Sequence, residues 1–407
     1  MPTLANVLGR WSLVACLTLV ARNAAAAELT VADFDFNGPL GSAGAKIERV
    51  AANHFKVTLG HAPNQPTWCN NVQFVIRQHA KENPLRLDAV FKGGNAYRFN
   101  QYHYSWSYDA KHWQPIGWEK NEKDSAKGDT LLFPRFTADT VWLGHQVPMS
   151  HEDVEAMIRQ WSEHPHARAE VIGQSLGGRK IYRLEITDPQ SPHPRNRRWV
   201  HYFANQHPGE HYSQWRMVGM IRWLLSDEGA DCRRRSISHF VLMMSPDGPS
   251  HGWYRVNGQG VDMNRSYFAA GSDPKKQAHE ACLVQKDLEQ LMKSGCPVTD
   301  IWSMHTWSGI VEPLLTPGPE MAEGRLGPWT RFREILDRHD AKNWIKPLAV
   351  RESKALVTQW TAGPHAQFGI SAVLCEGAGS MYGQQENLVS GETLMRGIAE
   401  YYRGIKD

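Results

Sequence analysis

Four apolar runs constrain this chain more than any other feature: residues 199–204, 240–244, 298–304 and 370–375. Each is of strand length, and longer helical stretches separate them. They read as strands buried on both faces, the centre of a mixed, mostly parallel sheet flanked by helices. Each also leads into a polar or glycine-rich segment. The first leads into His207-Pro208-Gly209-Glu210 and the second into Pro246-Asp247-Gly248; the third ends at His305 and the fourth at Glu376-Gly377. Open α/β sheets bind ligands beyond the carboxyl ends of their strands. Four distant segments are therefore expected to converge on one crevice.

The 407 residues exceed what one ordinary core organises, so two domains are expected. Residues 28–148 read as an all-β sandwich domain preceding the α/β domain at 149–407. Phe55-Lys56-Val57-Thr58-Leu59, Val72-Gln73-Phe74 and Leu85-Arg86-Leu87-Asp88-Ala89 alternate, and Tyr102, Tyr104, Trp106 and Tyr108 recur with period two before a hairpin turn near Trp113. Short strands with regular turn signals suggest a sandwich, and the aromatic stripe reads as its core rather than a sugar platform. Beyond Pro148, Ser150 is a good N-cap with Asp153 in the first turn, and Val154, Met157, Ile158 and Trp161 form a helical face.

Residues 1–27 read as a cleaved signal peptide: Arg10, an apolar run at 11–21, then alanines at 24–27. The run is too short to span a membrane. Residues 13–16 also resemble a lipoprotein box with Cys16 acylated, but almost no apolar core then remains after Arg10. A periplasmic or secreted protein without an anchor is expected. The formal net charge of +3 is small for this length, and Arg233-Arg234-Arg235 reads as a solvated loop, so no nucleic-acid partner is expected. The mature cysteines are Cys69, Cys232, Cys282, Cys296 and Cys375, with no C-x-x-C pair, which argues against a cysteine zinc cage. One disulfide is compatible with this count.

Imidazole and carboxylate are both good zinc ligands, and a catalytic zinc needs three protein ligands with one open position. His207 and Glu210, three apart between a strand and a helix, supply two, and His305 is the natural third. The spacing alone is weak: His79-Ala80-Lys81-Glu82 repeats it, and reads as a surface coincidence. Gly248-Pro249-Ser250-His251-Gly252 matches G-x-S-x-G without the strand-turn-helix context of a nucleophile elbow. Residues 173–180 mimic a phosphate loop but read as a hairpin turn between strands near Ala169 and Tyr182.

The convergent motifs resemble those of zinc carboxypeptidases of the carboxypeptidase A superfamily, in the form of the cytosolic carboxypeptidase branch. His207-Pro208-Gly209-Glu210 resembles the zinc motif. Ser245-Pro246-Asp247-Gly248, Gly252-Trp253-Tyr254-Arg255 and Gly260-Val261-Asp262-Met263-Asn264-Arg265 resemble the second signature. Ser303-Met304-His305-Thr306 resembles the third-ligand segment, and Leu374-Cys375-Glu376-Gly377 the segment of the catalytic glutamate. A β-sandwich before the catalytic domain also fits that branch. The resemblance implies one Zn2+ on His207, Glu210 and His305, with Glu376 as general base and later proton donor. It implies Arg255 as the oxyanion's partner, Asn264 and Arg265 as the grip on a C-terminal carboxylate, and Asp262 as the carboxylate orienting His207. Peptide or protein C-termini are the implied substrate. Two departures stand out. No tyrosine occurs from 306 to 375, where relatives place one over the substrate, leaving either Trp360 or His365 to do part of that task or a more open site; and Ser303 stands where relatives carry aspartate. The same zinc would also suit an amidase or endopeptidase acting on cell-wall peptides, or a protein that binds carboxylates without cleaving them.

Overall fold

The computed structural model describes residues 27–93, 104–120, 127–269, 272–306, 312–316, 329–341, 348–352, 356–377 and 383–404. The expected signal peptide, apart from its last residue, and Tyr102 lie outside the described residues.

The N-terminal part is β-rich, as expected. Its strands are β1 (Phe34–Asp35), β2 (Lys46–Ala51), β3 (His54–Thr58), β4 (His61–Ala62), β5 (Gln65–Cys69), β6 (Phe74–Ile76), β7 (Arg86–Phe91), β8 (Tyr104–Ser107), β9 (Gln114–Lys120), β10 (Lys127–Leu132) and β11 (Val141–His145). Nine of them are hydrogen-bonded in the order β1-β6-β11-β8-β9-β10-β7-β3-β2, and β4 and β5 form a separate hairpin. β9 belongs to both halves of this sheet. Its first residues, up to Ile116, pair with β8, and those from Gly117 onward pair with β10. Strands that switch partners in this way turn the corner of a sheet. Both halves enclose one core containing Phe55, Leu87, Tyr104, Trp106 and Phe136. The aromatic stripe is thus core at Tyr104 and Trp106. Trp113 instead lines a cavity of about 600 Å³ between this region and the helix that ends the chain.

The second part begins with α1 (His151–Ser162), capped as its sequence signals: Asp153 N donates to Ser150 Oγ at 3.0 Å and Ser150 N to Asp153 Oδ2 at 2.9 Å. An eight-stranded sheet follows. Its strands are β12 (Ala167–Gln174), β13 (Lys180–Ile186), β14 (Trp199–Asn205), β15 (Ser236–Val241), β16 (Asp300–Met304), β17 (Glu312–Thr316), β18 (Leu348–Glu352) and β19 (Ser371–Cys375). The order is β12-β13-β15-β14-β16-β19-β17-β18. The central pairs β15–β14, β14–β16 and β16–β19 are parallel, and antiparallel pairs join the flanks. The 173–180 segment is the β12–β13 hairpin, not a phosphate loop.

The helices are α2 (His211–Leu225), α3 (Ala230–Arg235), α4 (Gly248–His251), α5 (His279–Met292), α6 (Trp329–His339), α7 (Ala362–Phe368) and α8 (Gln384–Arg403). On one face of the sheet, α1, α2, α6 and α8 close a core around Phe203, Met220, Ile221, Trp302 and Met395. On the other, α5 packs Ala281, Val284 and Leu288 against Tyr202, Ile301 and Trp360.

Two expectations need correction, and one left open is filled in. The second apolar run was expected at 240–244, but β15 starts at Ser236 and ends at Val241. Ser236, Ser238 and His239 are buried polar strand residues that hide its start. The arginine run is helical. Arg233 is buried, and its Nη1 donates to the carbonyls of Leu224 and Ser226, groups that the end of α2 leaves without helical partners. Cys69, Cys232, Cys282, Cys296 and Cys375 are all free thiols.

Candidate metal centre and active site

The registers of β14, β16 and β19 align Asn205, Met304 and Cys375 in one row across the sheet. Each strand then stops, and the chain presents His207, His305 and Glu376 just beyond. Neighbouring strands lie about 4.8 Å apart, so sheet pairing alone assembles residues far apart in sequence. The backbone ties two of these positions together, since His305 N donates to Cys375 O at 2.8 Å. After His207 the chain makes a tight turn into α2, with Glu210 at its N-cap. Gly209 is required there: a Cβ would lie 2.6 Å from Tyr254 Cα.

His207, Glu210 and His305 are buried, and together they form a cluster suited to hold a metal ion. His207 Nδ1 lies 2.9 Å from Glu210 Oε1, and His305 Nδ1 lies 2.8 Å from Glu210 Oε2 and 3.0 Å from His207 Nδ1. The opposite edges of the rings decide where their protons sit. His207 Nε2 donates to Asp262 Oδ1 at 3.1 Å. His305 Nε2 donates to Ser303 Oγ at 3.0 Å, and that hydroxyl donates onward to Gln206 Oε1 at 2.7 Å. Both imidazoles therefore turn a bare Nδ1 lone pair toward a carboxylate. Four acceptor atoms facing each other in a buried space repel unless a cation stands between them, and two imidazoles with one carboxylate suit zinc.

The surrounding groups hold these ligands in place. Tyr254 OH donates to Glu210 Oε1, and Thr306 N donates to Oε2 at 3.1 Å. Asp262 joins the ligand cluster to Arg255. Its Oδ2 accepts from Arg255 Nε at 2.6 Å, while Oδ1 also accepts from Asn264 N at 2.8 Å. Burial would raise this carboxyl; the hydrogen bond from His207 and the nearby Arg255 charge outweigh it and hold the group far down.

Glu376 is half-buried and is followed by Gly377 in the left-handed region, at φ +66°. Arg216 of α2 is buried against this turn. Its Nη1 lies 3.4 Å from Cys375 Sγ, and a Cβ on Gly377 would come within 2.5 Å of the same nitrogen. Asn264 is buried, with Oδ1 accepting from Trp360 N at 3.0 Å. Arg265 is exposed and donates through Nη1 to Asn264 O at 2.8 Å.

The motif residues thus gather as expected at His207, Glu210, His305, Asp262 and Arg255, with Glu376 beside His305 and Asn264 on the loop from Asp262. Neither candidate for the missing tyrosine is seen over the ligand cluster. Trp360 is fully buried, its Nε1 donating to Met263 O at 3.1 Å, and His365 Nδ1 meets Ile370 O at 3.0 Å. Tyr254, Gln206 and Arg216 were not singled out from sequence; only Tyr254's place beside Arg255 in a quoted motif signalled it. His79 pairs with Asp33 at 3.1 Å, away from any described ligand cluster. Ser250 Oγ, in the short α4, donates to Asp247 O at 3.0 Å and lies 3.1 Å from His251 Nδ1.

The β-rich region reaches into this site. Gly41 N donates to Pro249 O at 3.1 Å, Ala43 N to His251 O at 2.9 Å and Asn71 N to Gly252 O at 2.7 Å. Gln146 accepts from Tyr212 N at 3.2 Å and donates to Gly209 O at 3.4 Å.

The structure thus presents an α/β sheet with a buried His-Glu-His cluster, able to hold a metal ion, beyond its central strands. Residues 154–287, about a third of the chain, match the family model described as zinc carboxypeptidase, Peptidase M14. That segment includes His207, Glu210, Arg255, Asp262, Asn264 and Arg265, and ends before His305 and Glu376. Cytosolic carboxypeptidase 2 of Danio rerio is 34% identical over 146 residues, which cover 34% of this chain and 20% of that protein. The Homo sapiens protein of the same name is 31% identical over 146 residues, covering 34% of this chain and 16% of that protein. The chain thus matches about a fifth or less of the length of these relatives. In overall fold it is similar to a metallo-carboxypeptidase from Burkholderia cenocepacia, with TM-score 0.75 and 17% identity over 91% of this chain and 99% of that one. A metallo-carboxypeptidase from Pseudomonas aeruginosa gives TM-score 0.70 and 19% identity over 91% of this chain and 97% of that one.

Proposed function

We propose that this chain removes the C-terminal residue from peptides, using one zinc ion held by His207, Glu210 and His305. The observation that carries this reading is the meeting of proton-free ligand atoms at the end of β16, with Glu376 at the end of the adjoining strand. Zinc, when bound, supplies Lewis acidity that polarises a carbonyl and acidifies water. Glu376 takes a proton from the attacking water and later gives it to the departing amine. Arg255 offers a fixed positive charge to the oxygen on which negative charge develops. Asn264 Oδ1 is occupied by Trp360 N, so its amide NH2 is left as the donor for a substrate carboxylate. Arg265 adds a planar fork that matches a carboxylate two-to-two.

A peptide with a free C-terminus tests the exopeptidase reading against its amidated twin. Arg265, exposed in the free protein, would be covered by the bound substrate, and losing one side of a charged pair buried in this way costs roughly 2–5 kcal/mol. Amidation is therefore expected to lower kcat/KM of the wild type by about thirtyfold or more, and to matter far less in Arg265→Ala. Fully additive losses would remove Arg265 from the carboxylate. Full-rate cleavage of internal bonds in blocked peptides would favour the endopeptidase or amidase alternative.

We also infer export, motivated by the apolar run and the alanine block before Glu28. No helix among the described residues is long and apolar enough to cross a membrane. Mass spectrometry of the protein from its native host is expected to find an N-terminus near Ala27 or Glu28. An intact N-terminus, or a lipid on Cys16, would refute this.

A further inference from the structure

The cavity of about 600 Å³ between the β-rich region and α8 takes no part in the site described so far. Tyr104 and Trp113 line it from the β-rich region, Tyr212 from α2 and Glu386 from α8. Tyr104 OH donates to Asp129 Oδ2 at 2.6 Å and Trp113 Nε1 to Ala110 O at 3.2 Å, so both rings have their polar atoms bound and offer apolar surface. Tyr212 differs. It is only 1% exposed, yet no partner of its hydroxyl is found among the described residues. Glu386 Oε2 accepts from Gly383 N at 3.1 Å, and among the same residues none bonds to Oε1. The exposed His112 is the one described lining residue able to carry positive charge, and its Nδ1 already meets Asp109 Oδ2 at 2.6 Å.

Tyr212 stands in the first turn of α2, directly after the ligand turn at Glu210, and α8 begins shortly after Glu376. The grip given to Asn264 and Arg265 lies on the other side of the ligand row. Asn264 is bonded to Trp360, which belongs to the core on the α5 face, whereas α2 and α8 close the opposite face. A peptide whose carboxylate is held on the α5 side, and whose last bond meets the ligand cluster, sends its preceding residues toward the α2–α8 side. We propose that the cavity is a subsite for a basic side chain, lysine or arginine, upstream of the bond that is cut. This rests on the peptidase reading above. Such a side chain lays its apolar stem along the rings and brings its head to Glu386 Oε1 and the Tyr212 hydroxyl. A cation beside aromatic faces gains further attraction as water is displaced. The first turn of a helix by itself favours an anion; here Glu386 already fills that place by capping Gly383 N, and leaves the cavity acidic.

The test uses the full-length zinc-loaded protein and alanine-based peptides with free C-termini that carry Arg, Glu or Ala at each upstream position in turn. At one position Arg is expected to raise kcat/KM about tenfold over Ala, mainly through KM, as an ion pair and a cation–aromatic contact in a partly enclosed space would. Glu there is expected to lower it. In Glu386→Gln the preference for Arg is expected to shrink to about twofold or less, what the aromatic walls alone supply. Trp113→Ala, in a turn of the β-rich region, is expected to weaken the same preference, and serves if the Glu386 variant does not fold. Equal kcat/KM for Arg and Ala at every position, a preference for Glu, or an Arg preference untouched by these substitutions overturns the proposal. A second arm needs no turnover. Calorimetry with Glu376→Gln is expected to find the Arg peptide bound tightest, and to lose that order when Glu386→Gln is added. A wild type that cleaves no peptide, with this binding order intact, would sink the peptidase reading alone. No binding order in Glu376→Gln overturns the subsite even if the wild type is active.

Discussion

Glu376→Gln is expected to leave zinc content and fold unchanged while lowering kcat by about 10²–10⁴-fold, the range for removal of a general base. The expectation follows from position. Glu376 emerges from β19 beside His305, yet it is not among the atoms that converge on the ligand cluster. Glutamine keeps the volume and the hydrogen-bonding edge of the side chain but cannot accept a proton at neutral pH. Zinc content by elemental analysis and kcat on a free-C-terminus peptide separate the two roles. Near-normal kcat would remove Glu376 from the chemistry. Lost zinc would instead make it a ligand.

His207→Ala attacks the other half of the site. Wild type is expected to hold about one zinc per chain, as one three-ligand site implies. The variant is expected to bind zinc at least about 100-fold more weakly, because losing even an outer hydrogen-bond partner of a ligand costs 10–100-fold. Turnover should fall in step. The substitution also strips Asp262 of its bond from His207 Nε2, leaving Arg255 Nε and Asn264 N on that carboxylate. Chelator competition measures the affinity. Unchanged zinc content would reject the ligand assignment, and a disordered near-ultraviolet spectrum would show that the carboxylate, not the metal, was the main loss. His305→Ala, which does not touch Asp262, is the companion that distinguishes these.

The order of apolar runs and the motifs at their ends were enough to place the central sheet and most of the site. The reason is physical: a strand buried on both faces has a plain signature, and strands with such signatures align by pairing. The capped start of α1 was equally plain, because Ser150 and Asp153 lie within one turn. Contacts across the fold were not legible. β15 begins with Ser236, Ser238 and His239, whose polarity argues for surface although they are buried. Arg233 looked like part of a solvated run because nothing local shows that the end of α2 presents it with two carbonyls. Trp360 was a candidate to cover the substrate, yet its indole closes the core beneath Asn264.

The carbonyls of Pro249, His251, Gly252, Gln259 and Gly260 all accept hydrogen bonds from residues before 148. An excised 149–407 fragment would leave every one of these to water on the loop that carries Arg255. Anything that binds only the intact arrangement stabilises it by mass action. Zinc on His207 therefore draws, through Asp262 and this loop, on the folding free energy of strands far upstream. Heat or denaturant should melt the two halves together, and the metal should raise the melting temperature of both.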